Sequence, residues 1–340
     1  MEHPTPNIEW QRESSLTSPF DVRYLDVRCF PSAQGFQRAN IHYFCAFCPG
    51  LPLNSLVTSI GYKIVRLANG VHSVHSLAHR ETFHPVIGPV AEAEALYVKQ
   101  LRLAERIRRH AGEFVIWDVG LGAAANALTV LRATRDLACS IQLVSFDNTV
   151  EPLAFALQNA EPLAYFSGYL HCAQHLVPHG RIAFDNGAQP VEWKVVLADF
   201  PSLLSGPGAA ALPRPDAILF DPFSPANNPA MWTLPLFTNL FRLLDCARPC
   251  ALATYSRSTM TRVALLLGGF YVGAGRSSGE KEETTIAANT LELIDEPLDR
   301  KWLQRAHRST SAEPLHKPVY RQARLSTETR EKLHEHPQFK

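Results

Sequence analysis

The stretch Phe114-Val115-Ile116-Trp117-Asp118-Val119-Gly120-Leu121-Gly122-Ala123-Ala124-Ala125-Asn126-Ala127-Leu128 constrains this chain more than any other. An apolar run of strand length ends on a carboxylate, turns on two glycines one residue apart, and continues in good helix formers. Glycines there let the backbone approach a ligand closely, and the new helix presents unpaired N–H groups. This is the strand–turn–helix corner of a nucleotide-binding α/β sheet. Ala125 stands where G-x-G-x-x-G has its third glycine, so the turn alone does not separate a nucleotide site from a merely tight turn.

The 340 residues are enough for one large α/β domain with appendages. A formal charge of +1 excludes a binder dominated by overall charge and leaves room only for a local basic patch. No apolar run approaches the roughly 18 residues needed to span a bilayer, and the polar N-terminus lacks a signal-peptide core. The seven cysteines are odd in number and scattered, as in a reducing compartment. The lone pair Cys45 and Cys48 reads as incidental. The expected location is the cytoplasm, with no membrane partner.

Four regions are expected: a poorly specified extension over 1–55, a β-hairpin region over 56–88, a Rossmann-like domain over 89–296 and a basic tail over 297–340. Residues 62–67 and 71–76 alternate around Asn69-Gly70, a strong hairpin signal. His72, His75, His79 and His84 read as histidines on a strand's wet face rather than metal ligands. Gly88-Pro89 opens a helix to about residue 110, where Arg102, Arg106, Arg108 and Arg109 read as a solvated cationic end, with an RNA-facing patch the alternative. Strands follow at 114–119, 141–147, 193–198, 217–220 and 251–255, with a closing antiparallel pair at 270–274 and 283–288. The alternation predicts an α/β fold with a seven-stranded, mainly parallel sheet that binds ligand at the strands' C-terminal ends.

Those ends are where the acids fall: Asp118, Asp147, Asp199 and Asp221 close successive strands. Asp147 follows Gly122 by 25 residues, a spacing that suits the ribose of either NAD or S-adenosylmethionine. Asp118 sits two residues before Gly120, where it would repel a pyrophosphate and attract a cationic amino-acid moiety. Asp199, flanked by Ala198 and Phe200, is placed to accept from an adenine amine. Both features favour S-adenosylmethionine. After strand four comes Asp221-Pro222-Phe223-Ser224-Pro225-Ala226-Asn227-Asn228-Pro229-Ala230-Met231-Trp232, stiffened by three prolines. A carboxylate there suits an amine that must lose a proton before methyl transfer, and Phe223 suits a flat substrate.

The glycine turn with Asn126, the strand-four loop through Thr233, and Ala251-Leu252-Ala253-Thr254-Tyr255-Ser256 resemble one family in order and spacing. It is the methyltransferase half of the bifunctional tRNA wobble-uridine enzyme MnmC, together with its stand-alone relatives. The likeness spans about residues 61–290 and includes Gly88-Pro89-Val90-Ala91-Glu92-Ala93 leading to Tyr97. It implies a class I S-adenosylmethionine-dependent methyltransferase acting on the amine of 5-aminomethyl-uridine at the tRNA wobble position. It further implies that Asp221 engages and deprotonates the amine, Phe223 flanks the base, and Glu92, Asp118, Gly120, Gly122, Asn126, Asp147 and Asp199 hold the cofactor. Ser224, Pro225, Trp232 and Tyr255 would face the substrate, the anticodon loop of tRNA.

The chain departs from the family's pattern in places. The family's Glu is Asp118, its Thr-Gly-Leu is Ala123-Ala124-Ala125, and its Asp-Gly is Asp221-Pro222. A lysine is replaced by Asn227, and a basic Lys-Arg motif by Glu280-Lys281-Glu282-Glu283. The residues after about Asp295 are too few for the family's oxidase half, so another enzyme is expected to supply the aminomethyl group. Lost cations leave open a small-molecule amine as substrate, or a non-catalytic S-adenosylmethionine- or RNA-binding module. The tail, with Arg300, Lys301, Arg305, Arg308, Lys317, Arg321, Arg324, Trp302 and Tyr320, reads as solvated, with RNA contact the alternative.

Overall fold

The computed structural model describes residues 61–275 and 283–340. The 1–55 extension, the Cys45 and Cys48 pair and Glu280, Lys281 and Glu282 lie outside the described residues.

A three-stranded antiparallel sheet comes first: β1 (Tyr62–Arg66), β2 (His72–Ser76) and β3 (Glu81–Thr82). The Asn69-Gly70 turn closes the hairpin, with Gly70 at φ +84° and the Asn69 side chain accepting from the Val71 amide at 3.1 Å.

The main sheet has eight strands in the order β10-β11-β9-β8-β4-β5-β7-β6. They are β4 (Phe114–Val119), β5 (Ile141–Asp147), β6 (Arg181–Asn186), β7 (Gln189–Leu197), β8 (Ala217–Phe220), β9 (Ala251–Thr254), β10 (Tyr271–Gly275) and β11 (Thr284–Ala288). Strands β7, β5, β4, β8 and β9 run parallel, β11 lies antiparallel between β9 and β10, and β6 pairs antiparallel at the β7 edge. This is the expected α/β architecture with one strand more than the seven predicted. The added strand β6 turns into β7 at Asn186-Gly187, with Gly187 at φ +68°. That dipeptide is a hairpin signal of the same kind as Asn69-Gly70.

Strands β4, β8 and β9 are buried along their whole length, which is why they read as near-continuous apolar runs. One apolar layer, containing Leu128, Leu143, Trp193 and Leu219, covers one face of the sheet. The other contains Trp117, Phe146, Phe220 and Phe237. No helix among the described residues is long and apolar enough to cross a membrane.

Two expectations are corrected. The helix read from 89 to 110 is broken into an α-turn Pro89–Ala93, a π-helical stretch Glu94–Lys99 and a helix Leu103–Arg109, because Arg102 is left-handed at φ +49°. Its arginines are not simply solvated: Arg106 donates to the carbonyls of Asp216 at 2.6 Å and Pro249 at 3.0 Å. The tail is not a solvated appendage either. Helices Arg300–Arg308 and Thr327–Glu335 are capped by Asp299 and Ser326, and they bury Trp302, Leu303 and Leu333, with Phe339 of the turn that follows, against the sheet's second layer. Gln338 locks the end of the chain onto β10 through the Val272 amide and carbonyl, both at 2.7 Å.

Asp118 sits inside β4, fully buried. Its Oδ2 accepts from the Ser145 hydroxyl at 2.7 Å, while its Oδ1 has no hydrogen-bond partner. Burial pushes this carboxyl up to about 8, against the pull of the Ser145 bond. An acid whose folded value lies above its unfolded value of about 3.8 is held more tightly protonated in the native state. Stability therefore falls as pH rises between about 4 and 8. Asp118→Asn is expected to remove this slope, gaining on the wild type by on the order of 4 kcal/mol from about pH 5 to about pH 8. Urea melts across that range measure it, and a difference independent of pH would contradict it.

Candidate functional site

Where β4, β5, β7 and β8 end, a cleft of about 550 Å³ opens under the small sheet. Its floor is the glycine turn. Gly120 at φ +98° and Gly122 at φ +48° adopt conformations that favour glycine, and a Cβ on Gly120 would sit 2.7 Å from the Asp221 carbonyl oxygen. The Gly122 amide donates to Asp147 Oδ2 at 3.0 Å, tying the turn to the end of β5. Ala124, where the resembled family has glycine, is left-handed at φ +62° and fully buried, a strain of about 1 kcal/mol that the turn absorbs.

The acids come to the cleft from four directions. Asp147 lines it with its carboxyl pushed upward by burial, against the amides of Gly122, Asn148 and Thr149 that bond it. Asp199 lines it while capping helix Phe200–Ser205 through the Ser202 amide at 3.1 Å. Asp221 accepts from Asn126 Nδ2 at 2.7 Å. Glu92 is buried at the cleft's far wall.

Between Glu92 and Asp221 stands His84, its Nδ1 3.8 Å from the first and its Nε2 3.8 Å from the second. His84 is itself left-handed at φ +49°, an uncommon state for a non-glycine residue and one that marks constrained sites. Around this group the phenols of Tyr97 and Tyr255 are pushed upward, first by burial and then by Asp221. Tyr255 donates to the Pro222 carbonyl at 2.9 Å, which fixes the start of the strand-four loop.

The small sheet clamps the rest of that loop. Glu81 of β3 accepts from the Ser224 amide at 3.2 Å, from the Ser224 hydroxyl and from the Asn227 side chain. Phe223 carries His79 stacked on it, ring centroids 3.9 Å apart at 13°, with Phe83 edge-on at 5.6 Å.

The structure thus brings Glu92, Gly120, Gly122, Asn126, Asp147, Asp199, Asp221, Phe223, Ser224 and Tyr255 to one cleft. Asp118 lies behind the turn, off the cleft wall. Pro225 does not line the wall, and Trp232 is fully buried under the loop, its indole donating to the Phe223 carbonyl at 2.8 Å. Trp232 supports the loop from beneath, so its expected substrate-facing position is corrected. Sequence reasoning missed Glu81 and Phe83, and its reading of His79 and His84 as histidines on a strand's wet face is corrected, since both line the cleft. They follow the hairpin, and only contact with a loop some 140 residues onward gives them a role.

The cleft's charge is lopsided. Glu81, Glu92, Asp147, Asp199 and Asp221 face it, against Arg80. Such a wall favours cationic ligands and disfavours phosphates. S-adenosyl-L-methionine, with its sulfonium and ammonium, suits both this charge and the glycine floor.

Glu81→Gln would replace one of the two acceptor oxygens with an N–H₂ group, leaving at least one of the three donors facing a donor. It is expected to lower stability by about 1–3 kcal/mol, read in urea melts, and to loosen the Ser224–Asn227 corner. Unchanged stability would contradict the clamp.

A family model described as S-adenosyl-L-methionine-dependent methyltransferase matches residues 170–290. The chain is 31% identical over 214 residues to the tRNA 5-methylaminomethyl-2-thiouridine biosynthesis bifunctional protein MnmC of Aeromonas hydrophila, covering 57% of this chain and 30% of that protein. To the protein of the same name from Methylibium petroleiphilum it is 31% identical over 252 residues, 69% of this chain and 35% of that protein. The chain therefore covers about a third of the length of these relatives. Among solved structures, MNMC2 from Aquifex aeolicus superposes with a TM-score of 0.60 over 81% of this chain and 84% of that one, at 23% identity, so it has the same fold. The family model marks an S-adenosyl-L-methionine-dependent methyltransferase region within the chain, the sequence relatives make it similar to the MnmC proteins, and the fold is that of MNMC2.

Proposed function

We propose that the chain methylates the primary amine of 5-aminomethyl-uridine at the wobble position of tRNA. The observation that carries this reading is Asp221. It stands at the mouth of β8, beside the glycine floor, held by Asn126, flanked by Phe223 and backed by His84 and Glu92. The names of the relatives point to the same chemistry.

When bound, S-adenosyl-L-methionine supplies an electrophilic methyl group on a sulfonium. The chain's own tasks are then positioning and proton removal. Gly120, Gly122, Asp147 and Asp199 form the cofactor's side of the cleft, with Asp147 placed for a ribose and Asp199 beside Phe200 for an adenine. The substrate amine arrives as an ammonium, attracted by the acid wall. It gives one proton to Asp221, which exposes the nitrogen lone pair. His84, 3.8 Å behind Asp221, and Glu92 behind it offer that proton a way out. Phe223 flanks the uracil, and Ser224 and Tyr255 border the same end of the cleft. The aminomethyl group itself comes from an upstream enzyme, and the reaction belongs to the cytoplasm.

The test incubates the protein with S-adenosyl-L-methionine and tRNA bearing 5-aminomethyl-uridine, digests the tRNA and weighs the nucleosides. A gain of one methyl on that nucleoside is expected. Asp221→Asn should lower kcat by roughly 10²–10⁴-fold, with S-adenosyl-L-methionine affinity within a few-fold of wild type. An unmodified nucleoside from protein shown to bind S-adenosyl-L-methionine would overturn the substrate. Full activity in Asp221→Asn would overturn the role of the carboxylate.

A further inference from the structure

The net charge of +1 conceals a block. Between Arg300 and Arg324 there are seven lysines and arginines against one acid, Glu313, so these residues carry +6 and the rest of the chain −5. Glu313 is buried and spent internally, accepting from the Ser326 amide at 2.8 Å and the Thr329 hydroxyl at 3.0 Å. The basic side chains are exposed.

Three of them, Lys317, Arg321 and Arg324, sit on a loop whose position is fixed at both ends. Ala323 accepts from the amides of Ala312 and Glu313 at 2.9 and 3.0 Å, which closes its base. At the other end Leu315 bridges to Thr233 and accepts from the Leu234 amide at 2.8 Å. Thr233 directly follows Trp232, the last residue of the strand-four loop, and Met231 of that loop lines the cleft. The basic loop therefore springs from beside the cleft.

Its tip is unusual for a surface loop in a second respect. Val319 is 67% and Tyr320 40% exposed, set between Lys317 and Arg321. Cations interleaved with an exposed aromatic ring suit a single-stranded nucleic acid, phosphates on the first and a base stacked on the second.

We propose that the loop 315–324 is the RNA-docking surface of this enzyme: Lys317, Arg321 and Arg324 take phosphates and Tyr320 stacks on a base, which delivers the modified uridine to the adjacent acid-lined cleft. This inference rests on the tRNA reading above and deepens it. It also accounts for how an acid-walled cleft serves a polyanionic substrate: the cleft takes the cationic amine, and the loop takes the backbone.

The experiment measures anisotropy of a fluorescent anticodon stem-loop RNA against a salt series, with S-adenosylhomocysteine present. The proteins are the full chain and the combined variant Lys317→Glu, Arg321→Glu and Arg324→Glu, whose thermal midpoints are compared first. The variant is expected to lose at least about tenfold in affinity at physiological salt, with the slope of log affinity on log salt shallower by about 2. Tyr320→Ala should lose about fivefold with the slope unchanged. Wild-type affinity and slope in the charge variant would overturn the proposal, as would wild-type protein that fails to bind the stem-loop. An acidic peptide bound as tightly as RNA, and lost in the same variant, would overturn it in favour of a protein partner. The methylation assay separates the two readings. RNA binding that depends on the loop, without methylation, sinks the reaction alone. Methylation without such binding sinks the loop alone.

Discussion

Gly120 has no room for a side chain. A Cβ there would lie 2.7 Å from the carbonyl oxygen of Asp221, so the turn after β4 and the exit of β8 are interlocked by backbone contact. The site depends on this contact. It sets the glycine floor against Asp221, and Asn126, on the helix that the same turn begins, reaches across to bond that carboxylate at 2.7 Å. Any side chain at Gly120 would push these two strand ends apart and break the floor of the cleft.

The second constraint is electrostatic. Gathering Glu81, Glu92, Asp147, Asp199 and Asp221 around one cavity is costly unless something positive enters it. Arg80 offsets part of the repulsion, and a sulfonium with an ammonium would offset more. The small antiparallel sheet belongs to this arrangement and is no mere preface to the domain. Glu81 holds the strand-four loop, His79 covers Phe223, and His84 bridges the two deeper acids.

Much of this was legible in the sequence, and the parts that were not share a cause. Strand ends are local facts: an apolar run, an acid, a glycine or proline. Asp147, Asp199 and Asp221 could therefore be placed on one sheet edge from order alone. Asp118 shares that local signature, yet its side chain alternates inward behind the turn, a matter of strand parity at the last residues that the motif does not state. Trp232 looked like a substrate-facing aromatic because burial of an indole depends on what packs above and below it, here Phe220 and Tyr255. The roles of His79 to His84 depend on a contact with the loop at 221–228, and no local pattern encodes a pairing at that distance. The tail misled through its charge: Trp302, Leu303 and Ala306 give helix Arg300–Arg308 an apolar stripe, but the flanking arginines dominate a reading by composition.

The most direct test of the account is a calorimetric titration of the protein with S-adenosyl-L-methionine and, separately, with NAD. An acid-walled cleft over a glycine floor should take up one S-adenosyl-L-methionine per chain and give no heat with the dinucleotide, whose pyrophosphate it would repel. Binding of NAD, or silence toward S-adenosyl-L-methionine, would contradict the reading of the cleft from which every other conclusion about the site follows.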